Sequence, residues 1–181
     1  MKTPHPDKDG LFTGENKKKF VLSSLTLLAT LLGSVATAHA AIYNFELNGP
    51  NTAADGQGNV IAMTGTGRFD TEKKTVAAHG AFTVTDSAGA VVARGTWAAN
   101  KFTAFTDTGG KVKGYWTGDL SMEVALWTKT GYPIPGTLPM TVYCEPGEVP
   151  GPAEANSSDG ITVGPFTVKT GGYTLFQLVR N

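Results

Sequence analysis

The chain has 181 residues, 17% of them charged, with fifteen Lys and Arg balanced by fifteen Asp and Glu. Five of the bases and three of the acids precede Ala41, so residues 41–181 carry a formal charge of −2. A near-neutral surface without a basic block does not attract a phosphate backbone, which excludes nucleic acid as an expected partner.

The first element is an address. Lys17, Lys18 and Lys19 precede an uncharged apolar run, residues 20–38, which closes on Ala38-His39-Ala40. A basic end, an apolar stretch and a small-x-small site make the pattern of a secretory signal peptide with an extended leader. Cleavage is expected near Ala41, with a second register at Ala36-Thr37-Ala38. The competing reading is a membrane anchor, against which stand Ser23, Ser24, Thr26, Thr30, Gly33, Ser34 and Thr37 inside the run. Lysines stand where a twin-arginine signal needs arginines, and no cysteine ends the run for lipidation. The expectation is one exported domain, residues 41–181, periplasmic or extracellular.

After Ala41 almost every segment reads with period two. Residues 42–47 form a short expected strand, then a loop rich in Asn, Gly and Pro runs to Gly58. Residues 59–70 place Ile61, Met63, Gly65, Gly67 and Phe69 on one face. Residues 74–86 place Val76, Ala78, Gly80, Phe82 and Val84 on one face, with His79 on the other. Asp86-Ser87-Ala88-Gly89 is a hairpin turn, after which Val91, Ala93, Gly95 and Trp97 share a face. Asn100 is expected to break the chain before a strand at 102–106, and Gly109-Gly110 to make the next turn.

Residues 115–128 give the clearest strand, in which Trp116, Gly118, Leu120, Met122, Val124 and Leu126 alternate with polar neighbours. Its length predicts a bend or bulge near Gly118. Gly131-Tyr132-Pro133-Ile134-Pro135-Gly136 is a rigid loop. A strand through Leu138, Met140 and Val142 puts the lone Cys144 on its apolar face, so the thiol is expected to be buried. An intermolecular disulfide is the alternative, and it requires exposure. Residues 145–160 read as a mobile loop, followed by strands at 161–168 and 173–180 joined by Lys169-Thr170-Gly171-Gly172.

About eight strands with evenly spaced turns predict an all-β antiparallel barrel, or a sandwich. Glycines within strands favour the barrel, which also removes exposed edges. The segments Gly58-Asn59-Val60-Ile61-Ala62-Met63-Thr64-Gly65-Thr66-Gly67-Arg68-Phe69, Gly80-Ala81-Phe82-Thr83 and Gly95-Thr96-Trp97-Ala98-Ala99 resemble an uncharacterised family of small microbial all-β proteins. The resemblance covers residues 58–99 best, and it implies a fold without implying a mechanism. The architecture is also similar to that of the allene-oxide-cyclase-like and dirigent barrels, by analogy alone.

Chemistry-bearing patterns are sparse. Residues 41–181 hold one histidine, His79, and one cysteine, too few for a His/Cys transition-metal site, and no calcium loop is present. No metal or cofactor is expected. There is no nucleophile elbow for His79 to serve, and the expected place for that histidine is the surface or a lumen. Asp119 and Glu123 share a face but lie about 13 Å apart along a strand, too far for a glycosidase pair. Gly65-Thr66-Gly67 has no following helix or Lys-Ser, so it is no phosphate loop. Asn156-Ser157-Ser158 fits a glycan acceptor.

Phe82, Trp97, Trp116 and Met122 are the candidate ligand-binding residues, since a barrel cavity lined by them suits a small apolar ligand. The expected function is a non-enzymatic binding or structural role outside the cytoplasm. Three alternatives accompany it: a calyx for a hydrophobic molecule, a barrel isomerase or cyclase using His79 or Glu123, and a self-assembling surface protein.

Overall fold

A computed structural model describes residues 41–112, 114–145 and 159–180. The expected signal peptide lies outside the described residues, as does the 146–158 part of the expected mobile loop. The described residues form nine strands: β1 Ile42–Ala54, β2 Val60–Asp70, β3 Thr75–Thr85, β4 Val91–Val112, β5 Tyr115–Thr128, β6 Leu138–Cys144, β7 Gly160–Val163, β8 Val168–Gly171 and β9 Thr174–Arg180. All pairings are antiparallel.

Short aspartate-led turns build the first three hairpins. Asp55 Oδ1 accepts the amides of Gln57 and Asn59 at 2.8 and 2.9 Å, and Asp70 Oδ1 those of Glu72 and Lys73. Asp86 Oδ1 accepts the amides of Ala88 and Ala90, as the expected turn requires. Each carboxylate mimics a backbone turn acceptor, so the connection is fixed locally and sets the register of its strands.

The sheet runs β4-β3-β2-β1-β9-β5-β6-β7, and β4 also pairs β5, so the path closes into a ring. Closure differs at the two ends. At one, β9 bridges the first half of β1 and the start of β5. At the other, β6 and β7 extend from β5, while β8 pairs Thr52, Ala53 and Ala54 of β1. The result is a split ring, not an evenly staggered barrel.

Tertiary pairing departs from the sequence expectation at several places. The loop expected after Leu47 is mostly strand: β1 continues to Ala54 through an irregularity between Leu47 and Asn51. Buried Asn51 explains it, since its amide donates to the carbonyls of Gly49 and Tyr173 (3.2 Å each) and holds Pro50 where a ladder donor is dispensable. Asn100 does not end β4; it is the extra residue of a bulge opposite Val124 and Glu123, and Gly109-Gly110 lies within the same strand. The irregularity expected near Gly118 is there, with its extra residues on the partner strand between Asp107, which pairs Gly118, and Lys111, which pairs Trp116. The strand expected at 161–168 is cut by a turn at Gly164 (φ +53°), and Lys169-Thr170-Gly171 is paired as β8.

The interior is filled by large side chains. Phe69 stacks on Tyr43 at 5.0 Å and meets Phe105 at 4.8 Å and Phe176 at 5.8 Å. Beyond this aromatic cluster Ile61, Met63, Leu120, Met122, Met140 and Val142 are fully buried. Burying each such side chain contributes about 1.5–3 kcal/mol, which a chain with no disulfide depends on.

Candidate functional site

Alternation sends the four expected ligand residues inward. Phe82, Trp97 and Met122 are 3%, 1% and 1% exposed, each part of the packed core. Trp116 packs partly buried against the same core, edge-on to Tyr43 at 6.1 Å. None of the four lines the groove on the outer face.

That groove lies on the outer face and encloses about 490 Å³. Cross-strand register builds it from two ranks of outward side chains. Tyr115 pairs Gln177, Gln177 pairs Asn44, Asn44 pairs Arg68, and Arg68 pairs Ala77, so one rank crosses β5, β9, β1, β2 and β3. Two residues along, Leu175, Glu46, Thr66 and His79 form the second rank. Neighbouring strands lie about 4.8 Å apart, so each rank is a continuous row of neighbouring side chains. His79 is exposed on this outer face, consistent with its place in the alternation.

Most polar side chains of the groove have no partner among the described residues. Thr66 Oγ1 donates to the Phe45 carbonyl at 3.0 Å. Among the described residues Asn44, Glu46, Arg68, His79 and Gln177 make no side-chain hydrogen bond or ion pair. Elsewhere comparable groups are engaged: Asp55, Asp70 and Asp86 cap turns, and Lys101 meets Glu123 at 2.9 Å. Glu46 and His79 stand two strand spacings apart, about 10 Å between their backbones, with Thr66 between them.

A second polar cluster has a structural task. Asp119 pairs Tyr143, Lys169 Nζ lies 4.3 Å above the Tyr143 ring, and it meets Glu145 at 3.4 Å. Burial, and then the charge of Glu145, raise the Asp119 carboxyl above its ordinary range, with Lys169 opposing. Nearby, buried Asp159 accepts the amides of Glu145 (2.7 Å) and Thr174 (3.1 Å), tying the end of β6 to the start of β9. No group of three or more metal-ligating side chains occurs among the described residues.

Sequence reasoning placed its four candidates on the inward face, where the structure also has them, and passed over Arg68, Asn44 and Gln177 on the outer face. Their signal is register, and β9 pairs β1 across some 130 residues of chain that periodicity cannot connect. The chain matches no protein-family model, no curated protein and no solved structure. The likeness over residues 58–99 therefore brings no family assignment.

Proposed function

We propose that this domain is an exported, non-enzymatic binding protein that takes a polar ligand, specifically a saccharide, in the outer groove. The observation that carries the proposal is the concentration of unspent polar side chains beside an aromatic ring. Asn44 and Gln177 each offer donor and acceptor atoms, Arg68 offers five donors, and Glu46 accepts. Sugar hydroxyls both donate and accept, so they match paired amides better than a purely anionic or cationic ligand does. Tyr115 supplies a ring on which the C–H face of a pyranose can rest.

Close packing of Phe82, Trp97 and Met122 favours the outer face over an interior calyx. The test is a glycan array probed with the purified protein and with Tyr115→Ala and Asn44→Ala. Binding to a defined set of glycans, weakened about tenfold by either substitution, supports the proposal. An unchanged profile in both variants, or no glycan bound, overturns it.

A further inference from the structure

Four of the exposed large apolar side chains, Val91, Val92, Tyr132 and Val168, lie at one end of the ring, and they are 58%, 59%, 73% and 56% exposed. Register explains the grouping. Val168 pairs Ala54, Ala54 pairs Val60, Val60 pairs Thr85, and Thr85 pairs Val91. One outward rank of apolar or methyl-bearing side chains thus crosses β8, β1, β2, β3 and β4, about 19 Å across at the usual strand spacing.

The two adjacent valines owe their exposure to a bulge. Strict alternation puts Val91 on the inward face with Trp97, but the register shifts between Val84 and Thr85. Val92 becomes the extra residue, and Val91 stands opposite outward-facing Thr85, so both valines emerge on the same side. Tyr132 is held out by a braced loop. The Thr128 amide donates to the Tyr132 carbonyl at 2.8 Å, the Ile134 amide donates to Leu126, and Ile134 packs against the core.

Two cations complete this end. Arg94 follows the bulge by two residues, and the Lys129 amide donates to its carbonyl at 3.0 Å. Neither side chain has an acidic partner among the described residues. The carboxylates of the adjoining turns, Asp55 and Asp86, are directed onto their own backbone amides.

We infer that this rim docks on an anionic lipid surface, with Val91, Val92 and Tyr132 entering the headgroup boundary while Arg94 and Lys129 meet lipid phosphates. Tyrosine and exposed aliphatic groups favour that boundary, and each cation near it adds attraction. A second copy of the chain is the poorer occupant, because it offers Arg94 and Lys129 only the carboxylates of Asp55 and Asp86, which already accept from backbone amides.

Flotation of the purified protein with vesicles tests the inference. One set is phosphatidylcholine alone; the other is equal parts phosphatidylcholine and phosphatidylglycerol. The expected result is binding to the anionic vesicles only, lost at high salt. The double substitution Arg94→Gln/Lys129→Gln lowers partitioning about thirtyfold, and Val92→Ser with Tyr132→Ser lowers it as well. These side chains are exposed, so an unchanged melting temperature confirms that the variants fold. Equal binding to both vesicles, no binding to the anionic set, or variants that bind like the parent overturns the inference. A concentration-dependent dimer abolished by Val92→Ser also overturns it, and assigns the rim to self-association.

Discussion

The indole nitrogen of Trp97 donates a 2.9 Å hydrogen bond to the carbonyl of Thr64, reaching across the face of β3 to β2. The reach is open because Gly65 and Gly80, partners in the register, present no side chain beneath the ring. A Cβ at Gly80 would come within 2.6 Å of Trp97 Nε1, and one at Gly65 within 2.5 Å of its Cζ2. The glycines, the indole and the carbonyl form one unit, so altering any of them disturbs the others.

Gly80→Ala should therefore destabilise the domain by about 3 kcal/mol or more, since it forces overpacking against both backbone and indole. Trp97→Phe keeps most of the apolar volume but leaves the Thr64 carbonyl without this donor, for a cost of about 1–3 kcal/mol. Urea midpoints of the two variants check both figures. A Gly80→Ala protein as stable as the parent would mean that the indole does not lie over the glycine pair.

Phe69 sits within reach of Tyr43, Phe45, Phe102, Phe105 and Phe176. Phe69→Ala removes the common neighbour of these rings and should cost about 3–5 kcal/mol. Phe69→Leu should cost much less, because the volume is better kept. Chemical denaturation of the two variants side by side gives the comparison.

Asp159 should give stability a slope with pH. Burial raises its carboxyl above the ordinary range, the Glu145 and Thr174 amides offset part of that, and the Glu145 charge adds to it. A raised folded value favours the protonated form, so this contribution is complete below the ordinary carboxylate value and is lost as pH rises through the raised one. Asp119 acts with the same sign. Glu123, lowered by its bond to Lys101, acts with the opposite sign and loses its contribution as pH falls. Urea midpoints from about pH 4 to about pH 7 should fall less steeply in Asp159→Asn than in the parent. Equal slopes would remove Asp159 as their source.

Cys144 is buried, and its single S–H faces two carbonyl acceptors, those of Trp116 (3.3 Å) and Thr174 (3.4 Å). A maleimide should leave the native protein unlabelled over the period in which urea-unfolded protein reacts fully, because attack requires an exposed thiolate. Rapid native labelling would show that the β6–β9 junction opens freely.

Much of the fold was legible because local rules act strongly here. Asp86-Ser87-Ala88-Gly89 reads as a hairpin, and the three aspartate turns act through atoms two to four residues away. β5 reads with its correct limits, since a strand buried on one face alternates without interruption. The misread places are those where distant chain overrides local pattern: Asn51, held by Tyr173; Asn100, carried through a bulge by its pairing with β5; and the 161–171 stretch, divided by its contacts with β6 and β1.

By itself, the sequence determined the all-β class, the inward face of each well-alternating strand, the hairpin turns and the burial of Cys144, because each follows from periodicity and short-range hydrogen bonding. Only the tertiary structure decided how the ring closes, that Phe82, Trp97 and Met122 fill the core tightly, and that Arg68, Asn44, Gln177 and Tyr115 stand in one rank. Closure joins β9 to β1 and β4 to β5, and such pairings are chosen by which apolar faces can be buried together. That choice belongs to the whole chain at once, so no window of residues contains it.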